Sequence, residues 1–334
     1  MVCGDADYYS NYLSLHHFNS LEPCFRCKAN RSTCPWSDFR REALWRSAPR
    51  TQAEWFFAQK HVLFKSVVLG LGPAHVAFDV LHCIDLGIAL SISGGVLYLL
   101  SFRLRLPGSL DDRLSIIWEE MVKTYTSLGT PAGERLPRLV FKDLWEHRRS
   151  GHPETFPELH CKAAVSRHCL IALSVVLSRL PQWAPHMDGL IGHAEGQDVA
   201  LAHCILVVQN LRSFYDGICF HPRRLPDNAA AELNECLGLV GIHYQALVHM
   251  FATQGEKIFR LTLKMHFTMH IGLDMVAHNT NPRWAWTYQD EDYVGRIAQV
   301  AAATMRARGP LKVGGVLFLK WRHVVYIRWS RRAV

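Results

Sequence analysis

The sequence predicts a mainly α-helical protein, and three observations carry that prediction. From about residue 51 onward apolar residues recur at helical rather than alternating spacing. Convincing strand segments are few and short. Apolar residues make up 49% of the 334 residues, enough to bury a sizeable core, and no stretch is disordered by composition.

The elements follow in order. Met1-Val-Cys3 is a short apolar run ending in Gly4-Asp5, read as a strand over 1–4. A cysteine-rich loop spans Cys24 to Cys34, and a basic stretch with Arg40, Arg41, Arg46 and Arg50 follows it. Helices are expected over 51–63, 79–103, 110–128, 158–180, 196–216, 227–253, 257–278 and 289–307. Ser109, with Asp111 and Asp112 behind it, marks a start, because its hydroxyl can cap a free amide and the acids complement the helix dipole. Pro226-Asp227 marks another, since proline lacks the N–H that a first turn leaves unpaired. Asn281-Pro282 stops the 257–278 helix. Segments 129–157 and 217–225 read as loops, and further strands are expected at 138–141 and 314–319. Leu86 to Phe102 is 17 uncharged residues containing Gly87, Ser91, Ser93, Gly94 and Gly95. That is short of the roughly 20 apolar residues a bilayer span needs, so a buried helix is expected. There is no internal repeat and no low-complexity tract.

Composition narrows the classes. Ten cysteines and nineteen histidines, with no apolar leader in the first twenty residues, favour reduced thiols and metal binding over disulfides. The formal charge is +8, and its distribution is uneven. After Asp292 there is no acid, while Arg296, Arg306, Arg308, Lys312, Lys320, Arg322, Arg328, Arg331 and Arg332 interleave with Trp321, Tyr326 and Trp329. Such a tail suits a phosphate backbone, with Arg283, Lys320, Arg322, Arg328, Arg331 and Arg332 as candidate contacts. A solvated tail or an acidic protein partner is the alternative. There is no P-loop, GxSxG, HExxH or strand-linked GxGxxG motif.

Four constellations carry chemistry. Cys24-Phe-Arg-Cys27 can bend both thiolates onto one metal; the bland account is two free buried cysteines. His266 and His270 are i and i+4 on a helix and share a face, which Asp274 and His278 continue; packed core histidines are the ordinary alternative. Combined, the two pairs make a Cys₂His₂ set that staples the beginning of the chain to its end. Asp79 and His82, followed by Asp85, are i and i+3 and can face one cleft, or can simply mark a helix start. Asn281 to Asp292 places three consecutive acids after an aromatic, basic loop, either to hold a hard divalent cation or to complement a helix dipole. Cys161, Cys169 and Cys204, beside His160, His168 and His203, read as core packing.

Taken in order, these pieces resemble the DDE transposases of the CACTA and related groups, which are similar in this region to the recombination-activating recombinase of the immune system. The resembling stretches are Gly4-Asp5-Ala-Asp-Tyr-Tyr through Leu13, Pro23 to Cys27, Asp79-Val-Leu-His82 through Gly87, Lys264 to His270, and Pro282 to Tyr288 through Glu291 and Tyr293. The resemblance implies an RNase H-like core whose carboxylates hold two divalent metals for phosphodiester cleavage and strand transfer. It assigns Asp5 and Glu291 as ligands of Mg²⁺ or Mn²⁺, and Cys24, Cys27, His266 and His270 as ligands of a structural Zn²⁺. His82, with Asp79 completing its motif, is placed near the scissile phosphate.

The implied organisation is a remnant of the core with the CxxC loop over 1–50 and a helical insertion over 51–256. The His-bearing and glutamate-bearing helices over 257–308 then close the core, and a basic tail occupies 309–334. The family's first aspartate lies upstream of the counterpart of Asp5, so an incomplete core and no catalysis by this chain alone are expected. A non-enzymatic, zinc-stabilised DNA-binding or assembly module is the alternative, and a metal-free helical domain is the plainest one. Expected partners are DNA and, as an open alternative, further copies of the chain, with no membrane; the expected location is the nucleus.

Overall fold

A computed structural model describes residues 2–4, 8–12, 14–17, 19–58, 72, 75–103, 106–140, 156–183 and 197–288. The chain forms two compact units, Met1–Ala285 and Trp286–Val334, and the following concerns the first. Among the described residues helix accounts for 64% against 4% strand, so the mainly α expectation holds. Among the described residues the sheet has two strands, β1 (Val2–Gly4) and β2 (Val76–Phe78). They run parallel, pairing Val2 with Val76, Cys3 with Ala77 and Gly4 with Phe78. A parallel pair needs a long crossover, and the intervening chain provides it. The strand at 1–4 was expected; β2 was not, because three residues are too few to show an alternation. Residues 138–140 form no strand, while 289–307 and 314–319 lie outside the described residues.

Among the described residues seven α-helices are longer than one turn. Helix α1 (Gln52–Ala58) begins at a reciprocal cap: the Glu54 amide donates to Thr51 Oγ1 at 3.2 Å and the Thr51 amide to Glu54 Oε2 at 2.9 Å. A π-helical turn, Leu81–Ile88, leads into α2 (Ala89–Arg103). Helix α3 (Leu110–Ser127) starts at the predicted Ser109, whose hydroxyl accepts from the Asp112 amide in a full capping box. Helices α4 (Ala163–Ser178), α5 (Gln197–Phe220), α6 (Asp227–Thr253) and α7 (Leu263–His278) follow. Helices α5 and α6 pair as a hairpin, α7 lies on α6, and α4 is held among α2, α3 and α5.

The largest boundary error has a packing cause. Ile258 and Phe259 are buried and continue the apolar pattern N-terminally, yet the helix starts only at Leu263. Phe259 instead lies against Gly95 of α2, its ring 2.5 Å from where a β-carbon would stand, so only glycine permits that approach. Helix α5 likewise runs to Phe220, into the segment read as a loop.

Among the described residues two helices have the length and apolar character to cross a bilayer. In Leu81–Phe102 89% of the apolar window is buried in protein, the environment of a core helix. In Asp227–Thr253 33% is buried; Glu232 and Glu235 lie on it, and α5 and α7 cover it from two sides.

Asn281 ties the end of α7 to the α5–α6 turn. Its side chain is fully buried; Nδ2 donates to the carbonyls of Ile218 and His221, both at 2.9 Å, and of Pro222 at 3.3 Å. Its Oδ1 accepts from the Arg283 amide at 3.0 Å. Asn281→Ala strands buried carbonyls and an amide, and is expected to cost about 1–3 kcal/mol in urea unfolding. A change within about 0.3 kcal/mol contradicts this account of the turn.

Candidate metal centre

Cys24 and Cys27 sit on an irregular loop that has little regular structure of its own. The loop is held by backbone pairs, including Lys28 N to Ala48 O and Arg50 N to Arg26 O, both 2.9 Å. Opposite it, α7 presents His266 and His270 one turn apart on the same face, as the i, i+4 spacing predicts. Segments some 240 residues apart in sequence meet here. Cys24 Sγ is 3.4 Å from His270 Nε2, Cys27 Sγ is 3.3 Å from His266 Nε2, and the two Nε2 atoms are 3.2 Å apart. All four donor atoms lie within 4.8 Å of one another, and all four residues are buried. Zn–S bonds of about 2.3 Å and Zn–N bonds of about 2.0–2.1 Å place tetrahedral N and S donors about 3.5 Å apart, close to these separations.

The donor chemistry fits a zinc ion. His266 Nδ1 lies 3.1 Å from the Trp36 carbonyl oxygen, which can only accept, so Nδ1 carries the proton and Nε2 offers its lone pair to the cluster. Burial lowers the His266 pKa and keeps the ring neutral. Burial works against a Cys24 thiolate; the Cys27 S–H donor, and the His270 and His266 rings when they carry a proton, favour it, and the net direction is below the usual thiol range. Cys27, as that donor and itself buried, is pushed up. A bound divalent ion would hold both thiols as thiolates.

A shell around the four donors escaped the sequence reading. Trp45, 1% exposed, meets the His266 ring edge-on at 4.5 Å and the His270 ring at 5.3 Å, while its indole N–H donates to the Asp38 carbonyl at 2.6 Å. Phe78 of β2 stacks on His270 at 5.5 Å. Arg26, inside the CxxC motif, forks onto Asp274, one turn past His270: Nη1 to Oδ2 at 3.0 Å and Nη2 to Oδ1 at 2.5 Å. Its Nη1 also donates to the Val76 carbonyl, so one guanidinium joins loop, strand and helix. The CxxC spacing carried no signal for Trp45; Asp274 was visible as part of the His-helix stripe, without its partner.

The second constellation is Asp79 and His82. Asp79 follows β2, is fully buried and accepts from the Leu81 amide at 3.1 Å, as a helix-start acid does. Its other oxygen is 2.5 Å from His82 Nδ1, which fixes that ring with Nε2 turned away from the carboxylate. The pair is thus joined at a helix start. The π turn that carries His82 is held by the Lys264 ammonium, donating to the Leu86 carbonyl at 2.8 Å, and by Tyr215, whose hydroxyl donates to the buried Asp85 carboxylate.

Gly4, which precedes Asp5, pairs with Phe78, which precedes Asp79. Asp5 and Glu291, the expected Mg²⁺ or Mn²⁺ ligands, lie outside the described residues, as do Lys320, Arg322, Arg328, Arg331 and Arg332. Arg283 is exposed on the turn Pro282–Ala285, where its Nη1 donates to the Cys219 carbonyl at 3.3 Å. Of the cysteines read as core, Cys169 and Cys204 are fully buried and Cys161 is half-buried. No family model, no curated protein and no solved structure matches this chain.

Proposed function

We propose that this chain is a transposase-derived DNA-processing domain, stapled by a structural zinc ion on Cys24, Cys27, His266 and His270. The observation that carries the reading is the convergence of CxxC and HxxxH from opposite ends of the sequence into one buried donor set. The resemblance to CACTA-like DDE transposases requires that convergence, and composition alone does not. The Asp79–His82 pair adds support, since a carboxylate-oriented imidazole can stabilise charge developing on a phosphate. Divalent ions, when bound by Asp5 and Glu291, supply activation of water or of a 3′-hydroxyl. The chain's own part is to hold the DNA backbone on its basic residues and to present His82 with its Nδ1 proton committed to Asp79.

Residues 1–334 contain counterparts of two of the family's three carboxylates, and a two-metal site short of one holds its ions poorly. The zinc-loaded chain is therefore expected to leave supercoiled plasmid uncut with Mg²⁺ or Mn²⁺. Robust cutting abolished by Glu291→Ala overturns that expectation and supports an active enzyme.

The basic run after Asp292 favours a second reading, a non-enzymatic DNA-binding or assembly module. It predicts DNA binding whose log affinity falls linearly with log salt, by about 0.9 per phosphate neutralised. Deleting the residues after 305 abolishes that binding and Asp5→Ala leaves it intact. Binding that survives the deletion removes the tail from the account.

A further inference from the structure

A second histidine pair lies outside the Cys₂His₂ cluster. His203 stands on α5 and His243 on α6, 40 residues apart in sequence. The hairpin brings their rings to a centroid separation of 5.1 Å, with the two Nδ1 atoms 3.0 Å apart. Both side chains are half-buried, so water can reach them. Each ring has the other as its hydrogen-bond partner.

We infer that His203 and His243 form a cross-helix chelate for a divalent transition metal of the copper(II) or nickel(II) class, completed by water. Three features carry the inference. First, the facing atoms are both imidazole nitrogens, and only one can carry a proton if they hydrogen-bond to each other; an ion between them uses both lone pairs instead. Second, metal–nitrogen bonds of about 2.0–2.1 Å across the 3.0 Å gap subtend roughly 90–95°. That is the angle between adjacent ligands in square-planar or octahedral coordination, the geometries that copper(II) and nickel(II) take. Third, the two ligands stand on paired regular helices rather than on loops, so their separation is fixed before any ion arrives.

Supporting this, burial lowers the pKa of both rings, and for His243 the neighbouring His203 lowers it further, which leaves them neutral and available as ligands at pH 7. The inference is independent of the transposase reading.

The test uses the zinc-loaded full chain and Ni²⁺, which avoids the oxidation of free thiols that Cu²⁺ would bring. Equilibrium dialysis with metal analysis is expected to show one saturable Ni²⁺ equivalent with the zinc retained. In His203→Ala and in His243→Ala the affinity of that equivalent falls by about tenfold or more. In His249→Ala, an exposed histidine elsewhere on α6, it is unchanged. Should a variant fail to fold, the wild-type chain answers alone: Ni²⁺ should shield His203 and His243, and not His249, from acylation by diethyl pyrocarbonate, mapped by mass spectrometry. No saturable Ni²⁺ site, undiminished binding in either variant, or equal acylation with and without Ni²⁺ overturns the inference.

Discussion

The purified chain is expected to carry about one zinc ion, and Cys24→Ser to lose both the ion and much of the chain's stability. The reason lies in what else holds residues 19–50. That segment contains isolated bridges and one short turn rather than sheet or long helix. Of its buried aromatics, Trp45 packs on His266, Phe25 on Phe267 of α7 and Phe39 against Gly241 of α6. Apparent zinc affinities of about 10–16 kcal/mol are comparable with the whole stability of a typical domain, about 5–15 kcal/mol. Removing the ion leaves two thiols and two imidazoles buried in an aromatic shell, with one another, the Trp36 carbonyl and the Arg26 amide as partners.

Cys24→Ser or exhaustive chelation should therefore lower the melting temperature by roughly 10 °C or more and open residues 19–50 to protease. Helical circular dichroism should fall less, because α2 to α6 pack on one another. Zinc loading should also fall with pH, since all four donors must be deprotonated to bind. A chain that purifies without zinc, or that melts at the same temperature after chelation, removes the structural-metal reading and with it the main support for transposase ancestry.

Much of this architecture was legible before any coordinates. Helix α6 falls on its expected 227–253, and α3 within one residue of 110–128. Their start signals, Pro226 and the Ser109–Asp112 box, act locally and depend on no distant partner. Local signals failed where tertiary packing set the outcome. Ile258 and Phe259 look helical by spacing but lie against Gly95 in non-helical backbone. Strand β2 exists through its pairing with β1, some seventy residues earlier, and no window of sequence contains both.

The Cys₂His₂ donor cluster was legible for a related reason. Cysteine pairs and His i, i+4 pairs are short-range patterns, and the ion's need for four ligands says they must meet without saying how. What surrounds them was not legible. Trp45 is one of ten tryptophans and sits nine residues beyond the Trp36 whose carbonyl orients His266. Nothing in its neighbourhood distinguishes it, and its role appears only once the loop has folded back on α7.

That role sets the second large effect. Trp45→Ala is expected to cost about 3–5 kcal/mol, the range for emptying a fully buried aromatic site, and so to lower the melting temperature by roughly 6–10 °C. The cavity would open beside both imidazoles, so the loss should also reach the metal: zinc transfer to a colorimetric chelator should quicken by about tenfold or more. Trp45→Phe separates packing from hydrogen bonding. It keeps a ring against His266 and gives up the donor to the Asp38 carbonyl, so about 1–2 kcal/mol and a near-normal transfer rate are expected. If the alanine variant loses stability while zinc leaves at the wild-type rate, Trp45 is ordinary core and the imidazoles are held by α7 alone. If the phenylalanine variant releases zinc as fast as the alanine variant, the indole N–H and the Asp38 turn, rather than aromatic packing, are what keep the loop closed over the ion.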